Sequence, residues 1–347
     1  MQHRIARPGP LLDRHGILRE PGWDTKLSFQ YSRKDVKAPA FRIKEWDYYL
    51  ITNGRIGLAL TIADNGYMGL DSVSLLDFEN AWEQTTSPMR ILPMGKTKLP
   101  ATSEVGCVMA SGGALGKQYQ LLFENNGTRR RLTFHMDQFK DGKPIDGGVI
   151  LTDPPEDSMV IATPFYGHPK AFYYNQKINC LRAEGSVTFD GVTYVFDPAD
   201  SFGVLDWGRG VWTYDNTWYW SSASGRIGGK LFGFNLGYGF GNTSAATENI
   251  LFYDGKAHKL EQVSFLIPRR EYGDDFLSPW RFTSSDGRFE AVFHPVLDRA
   301  SNTQIGPLGS DQHQVFGFFT GTATLDDGTV LHLDRFFGFA EKVRNKW

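Results

Sequence analysis

Short runs in which apolar and polar residues alternate recur along almost the whole chain. From Trp46 onward WDYYLIT, RIGLALTIAD, VSLLDFE, QYQLLFE, RRLTFHM, SVTFD and TYVFD follow one another. Each is rich in β-branched and aromatic residues, and a period of two buries one face of a strand. Turn clusters at Asp64-Asn65-Gly66, Glu124-Asn125-Asn126-Gly127 and Asp190-Gly191 separate them, as hairpins require. The second half continues with TWYWSSA, KLFGFNLGYGF, NILFYDG, KLEQVSFLI, RFEAVFH and a closing series from Gln314 to Val343. No long stretch keeps the 3.6-residue period of a helix. PFYGHPKAFYYNQKINCL (164–181) has room for one short helix, and SPMRILPMG (87–95) reads as irregular. The Pro- and Arg-punctuated start, residues 1 to about 40, predicts an extended lead-in with one strand in LSFQYS.

The pattern repeats. YYLITNGRIGLALTIADNGY, from Tyr48, matches YWSSASGRIGGKLFGFNLGY, from Tyr219, at an offset of 171. LTFH (132–135) pairs with AVFH (291–294), and Glu79-Asn80 with Glu248-Asn249. GSVTFDGVTYVFD pairs with GTATLDDGTVLHLD. Each of those hairpins is followed by Phe-Gly, two apolar residues and an acid, ending at Asp206 and at Glu341. Segments kept in order predict an internally duplicated architecture. Each copy suits an antiparallel barrel of about eight strands. The expected division is 1–215, a first barrel with the lead-in and insertions, and 216–347, a second barrel.

Composition supports an all-β reading with little helix. Aromatic residues make up 14% of the 347, and there are 38 glycines for turns and bulges. The formal charge is -2, and the one dense basic run, Arg129-Arg130-Arg131, reads as a solvated hairpin end. Nucleic acid is therefore not an expected partner. The two cysteines, Cys107 and Cys180, imply no disulfide framework. No apolar run reaches membrane-spanning length, and MQHRIARPGP lacks a signal-peptide core, so a cytoplasmic location is expected.

The densest unusual segment is LDWGRGVWTYDNTWYWSSASG, Leu205 to Gly225, which joins the two copies. It admits two chemical readings. Arg209 pairs with Asp206 and holds it ionised, or Asp206 is desolvated among Trp207, Trp212, Trp218 and Trp220 and donates a proton. Aromatic faces also stabilise a nearby cation, which suits acid-initiated chemistry on an alkene. The purely structural alternative is a buried Asp–Arg pair in a tryptophan-rich junction core. Tyr173, Asn175 and Lys177 would point the same way from a strand and could orient a ligand. Glu341 is the counterpart of Asp206 in the second copy. Among eight histidines none forms HExxH, and His313, opening an apolar strand, is the best single candidate for proton transfer. Glu79 and Glu248 read as equivalent capping acids. No zinc signature or nucleotide loop is present, so neither metal nor cofactor is expected.

AFYYNQKINC, LDWGRGVW, WSSASG, NLGYGFG, the TEN at 247–249, SPW at 278–280, DGRFEAVFHPVLDR, HQVFGFFTG and GFAEKV give a further pointer. In these segments the chain resembles the bacterial domain of unknown function 2804 family. That family is similar, more distantly, to the double-lipocalin group of carotenoid 1,2-hydratases (hydroxyneurosporene synthases), AttH-like proteins and pericyclic cyclases. The resemblance implies two packed lipocalin-like barrels with a hydrophobic pocket. The expected partner is a hydrophobic small molecule, isoprenoid-like or polyketide-like. The expected activity is that of a cofactor-free hydratase, cyclase or isomerase, with a non-catalytic lipid-binding protein and a sugar-binding β protein as alternatives.

Overall fold

The computed structural model describes residues 2–346. Strands dominate, and the helical turns among the described residues are two three-residue 3₁₀ segments, Arg33–Asp35 and Ala40–Arg42. No helix among the described residues is long and apolar enough to cross a membrane.

Two curled antiparallel sheets form two lipocalin-like barrels. The first runs, in spatial order, Trp82–Thr86, Met68–Asp77, Ile56–Asp64, Ile43–Thr52, Phe202–Val211, His168–Phe189, Lys143–Thr152, Arg130–Lys140, Tyr119–Asn125 and Gly106–Gly112. The second runs Lys256–Lys259, Ile250–Tyr253, Lys230–Tyr238, Asp215–Ile227, Val330–Lys346, Leu308–Thr324, Phe289–Ile305, Trp280–Ser284 and Val263–Leu266. In both, the strand that opens the copy lies beside the strand that closes it. The duplication is thus written into the strand order.

The register refines the repeat. Asp206 lies opposite Tyr48 and Glu341 lies opposite Trp220. The copies therefore align Tyr48 with Trp220 and Trp46 with Trp218, one residue away from the sequence offset. One residue reverses the face in a strand, so this slip decides which side chains meet. The hairpins accommodate it. The first turns at Asn53 to Arg55, whereas the second carries its strand through Ile227 and turns on Gly228-Gly229. Two other sequence pairings are corrected by topology. AVFH occupies the place of Lys143–Thr152, while LTFH occupies the place of Trp280–Ser284. Glu79 is exposed beyond the end of Met68–Asp77, whereas Glu248 is buried before Ile250–Tyr253.

The expected short helix at 164–181 is absent. That segment is strand on both sides of a turn at Tyr166-Gly167, and it pairs with Phe202–Val211. Its aromatic run gains more from a central sheet position, buried on both faces, than a lone helical turn would. Within 87–95, a short strand, Met89–Ile91, interrupts the otherwise irregular run.

The long His168–Phe189 strand ties the barrels together. It bulges between Ile178 and Leu181, where Cys180 takes a positive φ of 60°. The bulge turns Asn179 toward the second barrel. Its amide Nδ2 donates to Ser222 Oγ at 2.8 Å and to the Phe234 carbonyl at 3.0 Å. A bulge that re-aims one side chain is a usual device in sheets.

Candidate functional site

Strand alternation sorts the tryptophan-rich segment onto two faces. Leu205, Trp207 and Arg209 point into the first barrel. Val204, Asp206 and Gly208 point to the junction between barrels. Asp206 and Arg209 are three apart, an odd number, so they lie on opposite faces and do not pair. Arg209 instead meets Asp47 inside the barrel at 2.9 Å. Trp207 lies against it there, 4.3 Å from the guanidinium carbon.

Asp206 has other partners. Asn175 Nδ2 donates to Oδ1 at 2.5 Å, and Trp46 Nε1 donates to Oδ2 at 3.1 Å. Lys177 Nζ stands 3.4 Å from Oδ1. Trp46 reaches this position because Gly208 lacks a side chain. A Cβ there would come within 2.0 Å of the indole. The glycine two residues after the acid therefore has a steric reason.

Lys177 is the centre of the cluster. Its ammonium donates to Tyr173 Oη at 2.9 Å and to Asn175 Oδ1 at 3.0 Å, and it lies 3.4 Å from Glu248 Oε2. The Trp220 and Phe240 rings sit 4.8 and 5.2 Å from it. Tyr173, Asn175 and Lys177 do share one face, as the period of two predicts. Their side chains meet at the junction. The Lys177 side chain is 1% exposed and that of Glu248 2%, against 13% for Asp206, so Asp206 is the member nearest solvent.

Glu341 repeats the arrangement with one change. Trp218 Nε1 donates to its Oε1 at 3.1 Å, as Trp46 does to Asp206. The cross-strand neighbour on the other side is Gln314, whose Nε2 donates to Oε2 at 3.0 Å. Lys177 occupies the matching place beside Asp206. A lysine faces one acid and a neutral amide faces the other. Burial pushes Glu341 up to about 7; the Trp218 bond, the charge of Arg299 and the Gln314 bond oppose this, and the charge of Asp206 adds to it. Burial also raises Glu248, against the pull of Lys177. Tyr173 is raised by burial and by Glu248 and Asp206.

Trp212, Trp218 and Trp220 line the junction with Trp46 and Phe240. Trp212 packs edge-on to Trp218 at 5.2 Å, and Trp220 edge-on to Tyr48 at 6.0 Å. His313 is not in this group. It points away from the junction, stacked on Phe276 at 3.8 Å and bonded to Asp298 at 2.7 Å. Its neighbour Gln314 is the junction residue, again by alternation. Sequence reasoning missed Trp46, Gln314 and the role of Glu248. The tryptophans were legible once the repeat is shifted by one residue. Glu248 carried no such signal.

Two cavities stand out, each of about 20 Å³, room for about one water. One lies between the barrels, among Leu50, Phe202, Ser222, Phe316, Phe337 and Phe339. The other lies inside the first barrel, beside Asp47, Tyr49, Ser103 and Trp207.

Comparison with known proteins bears on the fold. An AttH-like protein from Nitrosomonas europaea is 15% identical with a TM-score of 0.53, over 90% of this chain and 96% of that one. Kievitone hydratase from Nectria haematococca is 12% identical with a TM-score of 0.49, over 88% and 89%. CghA with Sch210972 is 12% identical with a TM-score of 0.46, over 97% of each chain. No curated protein sequence matches. The model of the domain of unknown function 2804 matches residues 2–347, so the chain belongs to that family.

Proposed function

We propose that the protein is a cofactor-independent acid–base catalyst acting on a hydrophobic small molecule at the junction of its barrels. The observation that carries this reading is the asymmetry between two equivalent acids. Asp206 faces Lys177, whereas Glu341 faces Gln314 and is pushed up to about 7. A buried carboxyl group that holds its proton up to about pH 7, beside a second carboxyl group that faces a lysine, suits acid–base chemistry. Glu341 is then the proton donor, and the role expected of Asp206 from sequence passes to its counterpart. In a hydration, the Glu341 proton goes to an alkene carbon, leaving a carbocation on its neighbour. The Trp46, Trp218 and Trp220 faces stabilise that cation. Water adds to it, and its proton passes to Asp206. The substrate class in view is an isoprenoid-like or polyketide-like alkene.

The test is incubation of such alkenes with the full chain in heavy-oxygen water, read by mass spectrometry. Label incorporation should be lost in Glu341→Gln and in Asp206→Asn. Turnover that survives Glu341→Gln unchanged would sink the assignment. A second reading is favoured by the hydrogen bonds that occupy every oxygen of Asp206 and Glu341. In it the protein binds a hydrophobic ligand without chemistry. Co-purified lipid with no turnover of any alkene would establish that reading instead.

A further inference from the structure

The second barrel carries an insertion that the first lacks. The hairpin between Tyr119–Asn125 and Arg130–Lys140 turns within residues 126–129, whereas its counterpart between Val263–Leu266 and Trp280–Ser284 runs over residues 267–279. The longer segment forms a flap. Its two short strands, Arg269–Arg270 and Gly273–Asp274, make a two-stranded sheet of their own. Tyr272 at its tip is 92% exposed. A connection this long inside a compact barrel calls for a reason beyond closing a hairpin.

The flap lies over one end of the second barrel's interior. Across that end Tyr238, Tyr219, Lys342 and His313 stand directly opposite one another on neighbouring strands. By strand alternation they share the inner face with the core residues Leu236, Ala340 and Val315. Tyr219 and Tyr238 stack at 4.5 Å, and Lys342 Nζ lies 5.7 Å from the Tyr219 ring. The flap covers this row with two side chains. Phe276 stacks on His313 at 3.8 Å and 11° from parallel, and Asp274 forms an ion pair with Lys342. His313 has its own acid, Asp298, at 2.7 Å, and Arg344 has Asp215 at 2.8 Å. Among the described residues Lys342 has no ion pair outside the flap. Asp274, by contrast, also lies 3.9 Å from Arg269 of the flap itself. Lifting the flap therefore leaves its own acid with a cation. It leaves the barrel with a lysine lacking a carboxylate, beside a bare imidazole face and two tyrosine rings.

We propose that this end of the second barrel binds a small aromatic carboxylate, and that Asp274 and Phe276 of the flap hold its place when it is absent. The space for the ligand is the space those two side chains fill. Its carboxylate takes the position of Asp274 on Lys342, a charge-assisted hydrogen bond that sets orientation. Its ring takes the position of Phe276 on His313, which buries apolar area against a flat face. Directly opposite residues in an antiparallel pair have Cβ atoms about 5 Å apart. Ring and carboxylate are therefore joined by a short linker, as in 3-phenylpropanoate. The site is on the inner face of the second barrel, so it is separate from the junction carboxylates and independent of the chemistry proposed there.

The experiment uses the full chain and 3-phenylpropanoate, with acetate and benzyl alcohol as probes of the carboxylate and the ring alone. Trypsin cleavage at Arg269 and Arg270 reports the position of the flap. Phenylpropanoate should accelerate that cleavage in the wild type by displacing the flap, and the two partial probes at the same concentration should not. By isothermal titration, the double variant Asp274→Asn/Phe276→Ala should bind phenylpropanoate about tenfold more tightly than the wild type, because the flap no longer competes. Lys342→Met in that background should abolish binding. The wild-type cleavage series decides the matter if the double variant does not fold. A cleavage rate unchanged by phenylpropanoate, or a folded double variant that does not bind it, overturns the proposal and makes the flap a permanent cap. Equal acceleration by benzyl alcohol overturns the carboxylate assignment.

Discussion

Replacing Glu341 by Gln removes one buried ionisable group while keeping its shape. The Gln side-chain oxygen still accepts from Trp218, and a turned Gln314 amide accepts from the new NH₂. What changes is the cost of ionising the group in the folded state. Glu341 is raised from 4.5 to about 7, chiefly by burial. A group raised in this way contributes stability that is fully present below pH 4.5 and lost as the pH rises through 7. The difference of about 2.5 units corresponds to about 3 kcal/mol. Glu341→Gln should therefore match the wild type near pH 4 and exceed its stability by about 3 kcal/mol at pH 8.5. With a urea m-value of about 3 kcal/mol/M, the midpoints should separate by about 1 M at the higher pH. Lys259, lowered to about 7 by burial, adds its own pH dependence between 7 and 10.5, but it is common to both proteins and cancels in the difference. A wild-type-to-variant gap that stays constant from pH 4 to 8.5 would refute the reasoning.

Other expectations concern the rest of the cluster. Lys177→Met leaves Asp206 and Glu248 without their shared cation and should cost about 3–5 kcal/mol by chemical denaturation; a loss below about 1 kcal/mol would show that the lysine is not their counter-ion. Gly208→Ala drives a methyl into the Trp46 indole, should cost about 1–3 kcal/mol, and should shift tryptophan fluorescence; an unchanged spectrum and midpoint would contradict the packing described. Burial lowers His313, but its bond to Asp298 and the charges of Asp298, Asp311 and Asp274 together outweigh it, so its ring should titrate above 6.5 by NMR and fall in Asp298→Asn. Its stabilising contribution is present below pH 6.5 and fades as the pH rises through the folded value.

The fold was more legible than the site. Alternation and turn residues mark many of the strands from Trp46 to Val343, because a half-buried strand writes its period into the chain, but Gly106–Gly112, Lys143–Thr152, Met159–Phe165 and Phe202–Val211 lie outside those runs. The matched Phe-Gly-x-x-acid endings placed Asp206 and Glu341 as counterparts, and strand order bears that out. The helix expected at 164–181 failed because central pairing outweighs a local pattern. LTFH and AVFH failed as equivalents because short alternating runs resemble one another wherever they sit in a sheet.

The site divides along similar lines. The shared face of Tyr173, Asn175 and Lys177 follows from a period of two, and so does the separation of Asp206 from Arg209. Those are local consequences of a strand. Which strand lies opposite which, and in what register, depends on contacts between residues far apart in the chain. A one-residue slip brings Trp46 and Trp218 onto the two acids, and a chain brought in from the second barrel sets Glu248 against Lys177. The sequence by itself determined a duplicated β architecture and a candidate acid at its junction. Only the tertiary structure decided that a lysine faces one acid and an amide the other, since burial and neighbouring charge arise from packing and not from spacing.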